Sequence, residues 1–335
     1  MKYNYVYLNT SYSSNGIIDP NDYNAICLRD CDKMDEVQVV PSPLDYTNTF
    51  VRRLFNLTRI ISRKTKLDFT KLWFPFLIKV KFTDNKPLCF VVSSYNLPIS
   101  YFGYLKKKYP NAKFVKIYRD LVRVIEGVNG QYAPETAKQY FDYLMSFDSK
   151  EAENYDMVYF DEIESKVDLA MSANYPQSDV FIAARAKDRL PKIMQAYDIF
   201  SSAGLRCDFY LTGVPSEERI PKEGITYADK NMPYLDMLNR SVNSRCMFDI
   251  NQGGAIGYTS RFLEAIMYNK KIITDNPFVK TSKFYDERFV QCVNQVADID
   301  ASFVLDSELT VEYNYRDEFS PKKLIEQIEE LISND

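Results

Sequence analysis

The chain has 335 residues, 46% hydrophobic and 26% charged, with 42 basic against 46 acidic side chains and a net charge of −4. That length builds about two domains, and the charge balance excludes a nucleic-acid binder that relies on a clustered basic excess. Histidine is absent altogether, which removes histidine zinc ligands, Ser-His and Cys-His nucleophile pairs and imidazole acid/base chemistry. Any acid/base work falls to Asp, Glu, Lys, Tyr or water. The six cysteines form no C-x-x-C pair and read as reduced small hydrophobes. Residues 1–10 hold no signal-peptide core and no apolar run approaches about 20 residues, so a cytoplasmic protein is expected, with peripheral contact at the inner face of the cell membrane left open.

Short β-rich runs alternate with amphipathic stretches, the pattern of α/β architecture with parallel sheets. In the first half, strands are expected at YNYVYL, DYNAICL, EVQVVP, PLCFVVS, AKFVKIYR and DMVYF, with helices at 49–62, 100–109 and 134–145. The polar stretch 162–179 reads as an interdomain linker. It separates unlike halves: residues 1–170 hold 23 basic and 21 acidic groups, the remainder 19 and 25. DVFIAAR then opens a second series: a helix at 190–203, the strand CDFYLTG, a helix at 233–239, the strand SRCMFDI, a helix at 260–268 and the strand KKIITD. A last helix is announced by Ser320 as N-cap and Pro321 at its first position, with apolar residues at 324, 325, 328, 331 and 332.

The densest signal is MFDINQGGAIGYTSRFLEAIMYNKKIITDN. A strand ends at Asp249, a loop with Gly253, Gly254 and Gly257 follows, and a helix begins near Ser260. A glycine-bearing turn that feeds a helix N-terminus suits a phosphate. Tyr258 lies in that turn, Thr259, Ser260 and Arg261 are donors for phosphate oxygens, and the carboxylate of Glu264, one turn into the helix, can accept both hydroxyls of a ribose. Competing readings are a dinucleotide site with Asp275 as its acid, although G-x-G-x-x-G is missing, and a plain structural turn.

The core formed by Gly257, Thr259, Arg261, Glu264 and Ala265, followed by NKKIITDN, resembles the donor-binding segment of GT-B glycosyltransferases, in particular bacterial enzymes of capsule and lipopolysaccharide biosynthesis. The stretch 179–213 is similar to the opening βαβ unit of the GT-B C-terminal domain. There the resemblance implies a basic residue against the nucleotide diphosphate, with Arg185, Lys187 and Arg189 in position. The segment around Tyr227 resembles the loop that lines the nucleobase. The similarity covers roughly 179–295. It implies two Rossmann-like domains facing a central cleft: an acceptor-side domain at 1–165, a linker at 166–178, a donor domain at 179–310, and a final segment, 311–335, that returns toward the first domain. It further implies a metal-independent hexosyltransferase that takes a UDP- or GDP-linked sugar as substrate, needs no cofactor, and serves a glycan or lipid-linked acceptor. Many members carry a second Glu eight residues before the ribose Glu; here that position is Ile256. Asp249 or Gln252 is then left to contact the donor sugar. A non-catalytic partner subunit of another transferase stays open as the alternative.

Three features of the remaining chain complete the expectations. Asp30 and Asp32 form a D-x-D pair of the kind that holds a divalent cation in GT-A enzymes, and Asp298 with Asp300 forms another; the first is set against its early place in the chain, the second against a surface loop. Asp120, at the end of AKFVKIYR, is the carboxylate placed to act as a base, and the hydroxyl-rich loop 9–16 could line a cleft. Finally, 50–81 carries nine basic residues against Asp68 alone, with apolar residues at 50, 54, 57 and 61. That pattern fits either an anionic bilayer surface or a core-facing helix with a solvated basic edge.

Overall fold

The structure is a computed structural model that describes residues 1–9, 21–40, 49–65, 69–95, 97–251, 256–306 and 309–334. The chain divides into two compact units: Met1–Ser165 together with Phe319–Asp335, and Lys166–Glu318. The first contains strands β1 (Asn4–Leu8), β2 (Val37–Val40), β3 (Leu88–Val92), β4 (Lys113–Tyr118), β5 (Tyr143–Ser146) and β6 (Val158–Tyr159). Helices α1 (Tyr23–Cys27), α2 (Thr49–Thr65), α3 (Ser100–Lys108), α4 (Val122–Asn129), α5 (Pro134–Ala137) and α6 (Ser149–Tyr155) lie between them. The six strands form one sheet in the order β2-β1-β3-β4-β5-β6, every neighbouring pair parallel.

A parallel sheet covered on both faces needs strands that are apolar throughout rather than alternating. All five residues of β1 are accordingly buried. Val6 and Leu8 join one core, with Phe90, Phe114 and Tyr132, while Tyr5 and Tyr7 join the core on the opposite face.

The second unit repeats the plan with β7 (Ser178–Arg185), β8 (Cys207–Thr212), β9 (Ile225–Ala228), β10 (Ser244–Asp249), β11 (Lys271–Thr274) and β12 (Val290–Cys292). Its helices are α7 (Leu190–Ser202), α8 (Tyr234–Asn243), α9 (Ser260–Met267) and α10 (Ser302–Leu305). The sheet order is β12-β11-β10-β7-β8-β9, again all parallel. The entry to β9 requires glycine: Gly224 has φ +77°, and a Cβ there would stand 2.1 Å from the Cys207 carbonyl oxygen. In each sheet the winding direction reverses once, between β1 and β3 and between β7 and β10. Such switch points leave a crevice beyond the carboxyl ends of the strands, where open α/β sheets bind ligands.

Helix α11 (Pro321–Ser333), capped by Ser320, belongs to the first unit. Its Leu324, Ile325, Ile328 and Ile332 fill the core formed by Tyr5, Tyr7, Cys89, Val91, Val115 and Ile117, and Tyr5 donates its hydroxyl to Glu329. The Glu164 N–H donates to the Phe319 carbonyl at 2.7 Å, which ties the chain's return to the stretch where the first unit ends.

Two expectations are corrected, and the acidic pairs set aside as cation ligands are engaged elsewhere. DYNAICL is a helix: the Asp22 side chain accepts from the Asn24 N–H at 3.1 Å, and Ile26 and Cys27 turn inward from the short helix this starts. The helix expected over 134–145 stops at Ala137, and YLMS is β5 in register with Val115–Tyr118; Asp142, between them, accepts from the Phe114 N–H at 2.7 Å. Asp30 of the D-x-D pair is engaged as an anchor, accepting from Ser320 Oγ at 2.9 Å and Lys33 Nζ at 3.0 Å, while Asp298 and Asp300 accept from the backbone N–H groups of Gln295 and Ser302.

Because Ile328 is fully buried, Ile328→Ala should cost the first unit about 2–5 kcal/mol. Trp73, the chain's one tryptophan, packs edge-on to Phe55 in that unit, so its fluorescence in urea reads the loss directly. An unchanged Trp73 transition would show that α11 contributes nothing to the first unit's stability.

Candidate functional site

The carboxyl edge of the second sheet gathers the polar residues of the unit. β7 ends at Arg185, exposed, with its side chain lying 3.3 Å from where a Cβ on Gly213 would stand; Gly213 has φ +71°. β10, on the other side of the switch point, ends at the buried Asp249. Asp249 accepts from Thr259 Oγ1 at 2.8 Å and Thr274 Oγ1 at 3.3 Å. Burial pushes its carboxyl above the ordinary range, opposed by the Thr259 hydrogen bond and the Arg261 charge. Thr259 is also the N-cap of α9, accepting from the Phe262 N–H. One aspartate thus fixes the end of its own strand, the end of β11 and the start of α9.

Glu264 lies one turn into α9 with 0% exposure. Its Oε1 accepts from the Arg261 guanidinium and from Tyr234 Oη at 3.0 Å, while Oε2 is buried with no hydrogen-bond partner among the described residues. Burial raises the Glu264 carboxyl pKa, and the charge and hydrogen bonds of Arg261 and Tyr234 oppose that rise. Burial works against the Arg261 charge as well, but Glu264, Tyr234 and Asp249 hold its pKa above the ordinary value. The result is an ion pair removed from water that retains one spare acceptor.

Several sequence candidates are drawn together here and others are not. Asp249, Thr259, Arg261 and Glu264 form one connected network, with Ser260 as the first residue of the helix. Arg189 spans the switch point, donating to the Arg185 carbonyl at 2.6 Å and the Ile250 carbonyl at 2.8 Å; its buried Nε has no partner among the described residues. Gly257 is buried, and its carbonyl accepts from Asn276 Nδ2 at 2.8 Å. Tyr258 has a packing role, its ring tilted against Phe262 and Phe278 and its hydroxyl meeting Thr281 Oγ1 at 3.2 Å. Tyr227 sits within β9, not in a loop, with its hydroxyl donating to the Ile220 carbonyl at 2.9 Å. Asp275 accepts from the Asn251 N–H at 2.7 Å and Lys192 at 3.1 Å. Gln252, Gly253, Gly254 and the Lys187 side chain lie outside the described residues, as does most of the loop 9–16. Sequence reasoning missed Tyr234, Thr274 and Asn276. Thr274 and Asn276 were within sight in IITDN, at the end of a strand, but nothing marks Tyr234 apart from the chain's 25 other tyrosines.

The carboxyl edge of the first sheet is organised by cations. Lys116 on β4 is fully buried, and its Nζ donates toward four carbonyls: Val92 at 3.2 Å, Ser93 at 3.1 Å, Ser94 at 3.4 Å and Ile117 at 3.2 Å. The rings of Tyr118 and Tyr132 stand 5.2 and 5.1 Å away. Arg119 holds Glu162, donates to Tyr23 Oη at 3.0 Å and to the Ile163 carbonyl at 3.2 Å. Asn9, at the end of β1, is fixed to the Asn24 carbonyl at 2.9 Å. Asp120 follows β4 as an exposed residue.

Burial pushes the Lys116 ammonium down from 10.5 to about 7, with nearby Asp120 opposing. A lysine depressed in this way costs stability in full below that value. Between it and 10.5 the unfolded chain binds the extra proton, so stability climbs with pH. Tyr118 and Tyr132 stay neutral in that window because burial raises their hydroxyls. Relative to Lys116→Met, the first unit should therefore gain about 2–3 kcal/mol between about pH 7 and 9, followed by Trp73 fluorescence in urea at each pH. Parallel pH curves for the two proteins would show that Lys116 keeps its ordinary ionisation.

Two doubly wound parallel sheets, each with its switch point, define the GT-B fold. No protein-family model matches the chain, and no curated protein matches it in sequence. Among solved structures it is similar to Alr3699/HepE of Anabaena in complex with UDP-glucose, with a TM-score of 0.53 and 10% identity over 99% of each chain. The same Anabaena protein with UDP and glucose gives 0.53 at 9% identity, again over 99% of each. The α,α-trehalose 6-phosphate synthase of Burkholderia multivorans gives 0.47 at 8% identity, over 97% of this chain and 94% of that one. At these identities the likeness is one of fold.

Proposed function

We propose that the chain is a glycosyltransferase. It would move a sugar from a UDP- or GDP-linked donor to a glycan or lipid-linked glycan of surface polysaccharide synthesis, the class of enzyme the segment 249–276 resembles. The observation that carries the reading is the buried Glu264 with Oε2 unspent, beside the N-terminus of α9 at the edge where the second sheet reverses. A ribose hydroxyl would donate to Oε2. The diphosphate would meet the N-terminus of α9, whose dipole favours negative charge, and Arg185 at the tip of β7 would add positive charge from the opposite side. As the glycosidic bond to the donor breaks, negative charge grows on the leaving diphosphate, and fixed donors aimed there lower the barrier most. Asp120 is the carboxylate on the acceptor-side unit suited to remove the acceptor's proton. That Alr3699/HepE, of the same fold, was crystallised with UDP-glucose supports this class of ligand.

Titration calorimetry with UDP and GDP tests the site. Glu264→Gln keeps the volume and the packing, and should weaken binding of the preferred nucleotide by about 1–3 kcal/mol, the loss expected for a hydrogen bond to a charged acceptor. Tyr234→Phe, which only loosens the Glu264 carboxylate, should cost less, about 0.5–1.5 kcal/mol. Tyr227→Phe should leave affinity unchanged, since that hydroxyl is tied to Ile220. Equal affinity for Glu264→Gln and the native protein would remove Glu264 from the site. Failure of both nucleotides to bind would remove the reading itself.

A further inference from the structure

Among its described side chains, helix α2 buries one large apolar residue and leaves four exposed. Its inward face carries Phe55, buried, with Thr58 and Ser62. The two hydroxyls are spent on the helix itself, donating to the Phe55 and Thr58 carbonyls at 2.6 and 2.7 Å, and Ser62 also accepts from the Phe69 N–H. Beside that face Leu54, Leu57, Ile60 and Ile61 are exposed to solvent, Leu57 at 50% exposure. At about 100° per residue, Leu54, Leu57 and Ile61 fall within one narrow stripe. The 3₁₀ segment Phe69–Phe76, packed against α2 through Phe55 and Trp73, adds Leu72 and Phe76, exposed at 69% and 68%. Large apolar side chains placed outward in such number mark an interaction surface.

The charges around the stripe identify its occupant. Arg53 and Lys64 are exposed on α2 itself, and Lys71, Lys79 and Lys81 are exposed on the segment that follows. Across 50–81 the chain carries nine basic residues and one acid, although its net charge is −4. An apolar stripe rimmed by cations matches a surface that is apolar beneath and anionic on top. No helix of the described residues is long and apolar enough to cross a membrane, so α2 would lie in the plane of the surface rather than span it. We propose that α2 and Phe69–Phe76 dock the first unit onto an anionic lipid bilayer, with Leu54, Leu57, Ile61, Leu72 and Phe76 in the acyl boundary and the lysines and arginines at the headgroups. The inference stands on the first unit alone and is independent of the donor site.

Co-sedimentation of the full chain with vesicles of phosphatidylcholine, with and without phosphatidylglycerol, tests it. Binding should rise with the anionic lipid, fall with added salt, and shift Trp73 emission to the blue. Leu54→Ser with Leu57→Ser and Phe76→Ser, all at exposed positions, should cut vesicle binding at least about tenfold. Arg53→Glu with Lys64→Glu should lower it by a similar factor and flatten its salt dependence. Nucleotide binding should be unchanged in both variants, so a failure here is distinguishable from a failure of the donor site. Absence of binding to anionic vesicles at low salt, equal binding to neutral vesicles, or a chain that self-associates through this face and is dispersed by the triple serine variant would each overturn the proposal.

Discussion

A carboxylate stripped of water must find compensating partners or lose its charge, and the second unit is arranged around one such group. Glu264 is held from two directions: by Arg261 one turn earlier on α9, and by Tyr234 at the start of α8. The spacing of those helices is therefore set by a hydrogen bond as well as by packing. Asp249 performs the companion task beneath it, joining β10, β11 and the cap of α9 through two threonines. Removing one member of a buried ion pair typically costs about 3–5 kcal/mol, whereas replacing the whole pair with apolar residues is often neutral. A pair retained with one carboxylate oxygen unused is thus poorly explained by stability alone, and this gives the site its claim to function.

The two units solve the same topological problem with opposite chemistry. Each must hold the ends of several parallel strands together beside a crevice, and neither has a histidine to do so. In the second unit acids collect hydroxyl and guanidinium donors. In the first, Lys116 collects carbonyls from the β3 exit and from β4, and Arg119 joins the β4 exit to Glu162 and Tyr23. Carbonyl oxygens and ring faces, with Asp120 acting only through its charge, stabilise an ammonium less than a paired carboxylate would, so desolvation still depresses the lysine. Arg119, opposite Glu162, is not so depressed: burial opposes its charge, but the glutamate holds the guanidinium pKa high. Proximity of a formal counter-charge, more than depth, separates the two cations.

The parallel α/β plan was legible because strands buried on both faces leave continuous apolar runs, as YNYVYL, PLCFVVS and SRCMFDI do. The same rule misled at DYNAICL, where an apolar run of four is as compatible with a short helix and the deciding signal was the cap at Asp22. It misled again over 134–145, where Pro134 announces a helix but nothing in the pattern says that it ends after one turn. At the site, residues adjacent in sequence were recoverable: Thr259 caps the helix start, and Arg261 and Glu264 meet as i, i+3 neighbours. Tyr234 comes from 30 residues away and Thr274 from another strand, and only the tertiary fold brings them in. Tyr227 illustrates the reverse, an aromatic that its segment's resemblance put at a nucleobase and that hydrogen bonding fixes in a strand.

Helix α2 marks where sequence pattern reaches its limit. An apolar stripe at 54, 57 and 61 says that a helix has a face to hide, without saying from what. Among the described side chains, those turned toward the protein are Phe55 and two hydroxyls that donate within the helix. Leaving Leu54 and Leu57 exposed forgoes the usual gain of roughly 1.5–3 kcal/mol per large apolar side chain. A sequence that left this cost uncompensated would be easily improved by exchanging the two faces. Docking of the outward face, as proposed, would supply that burial, and the cations around it favour an anionic surface.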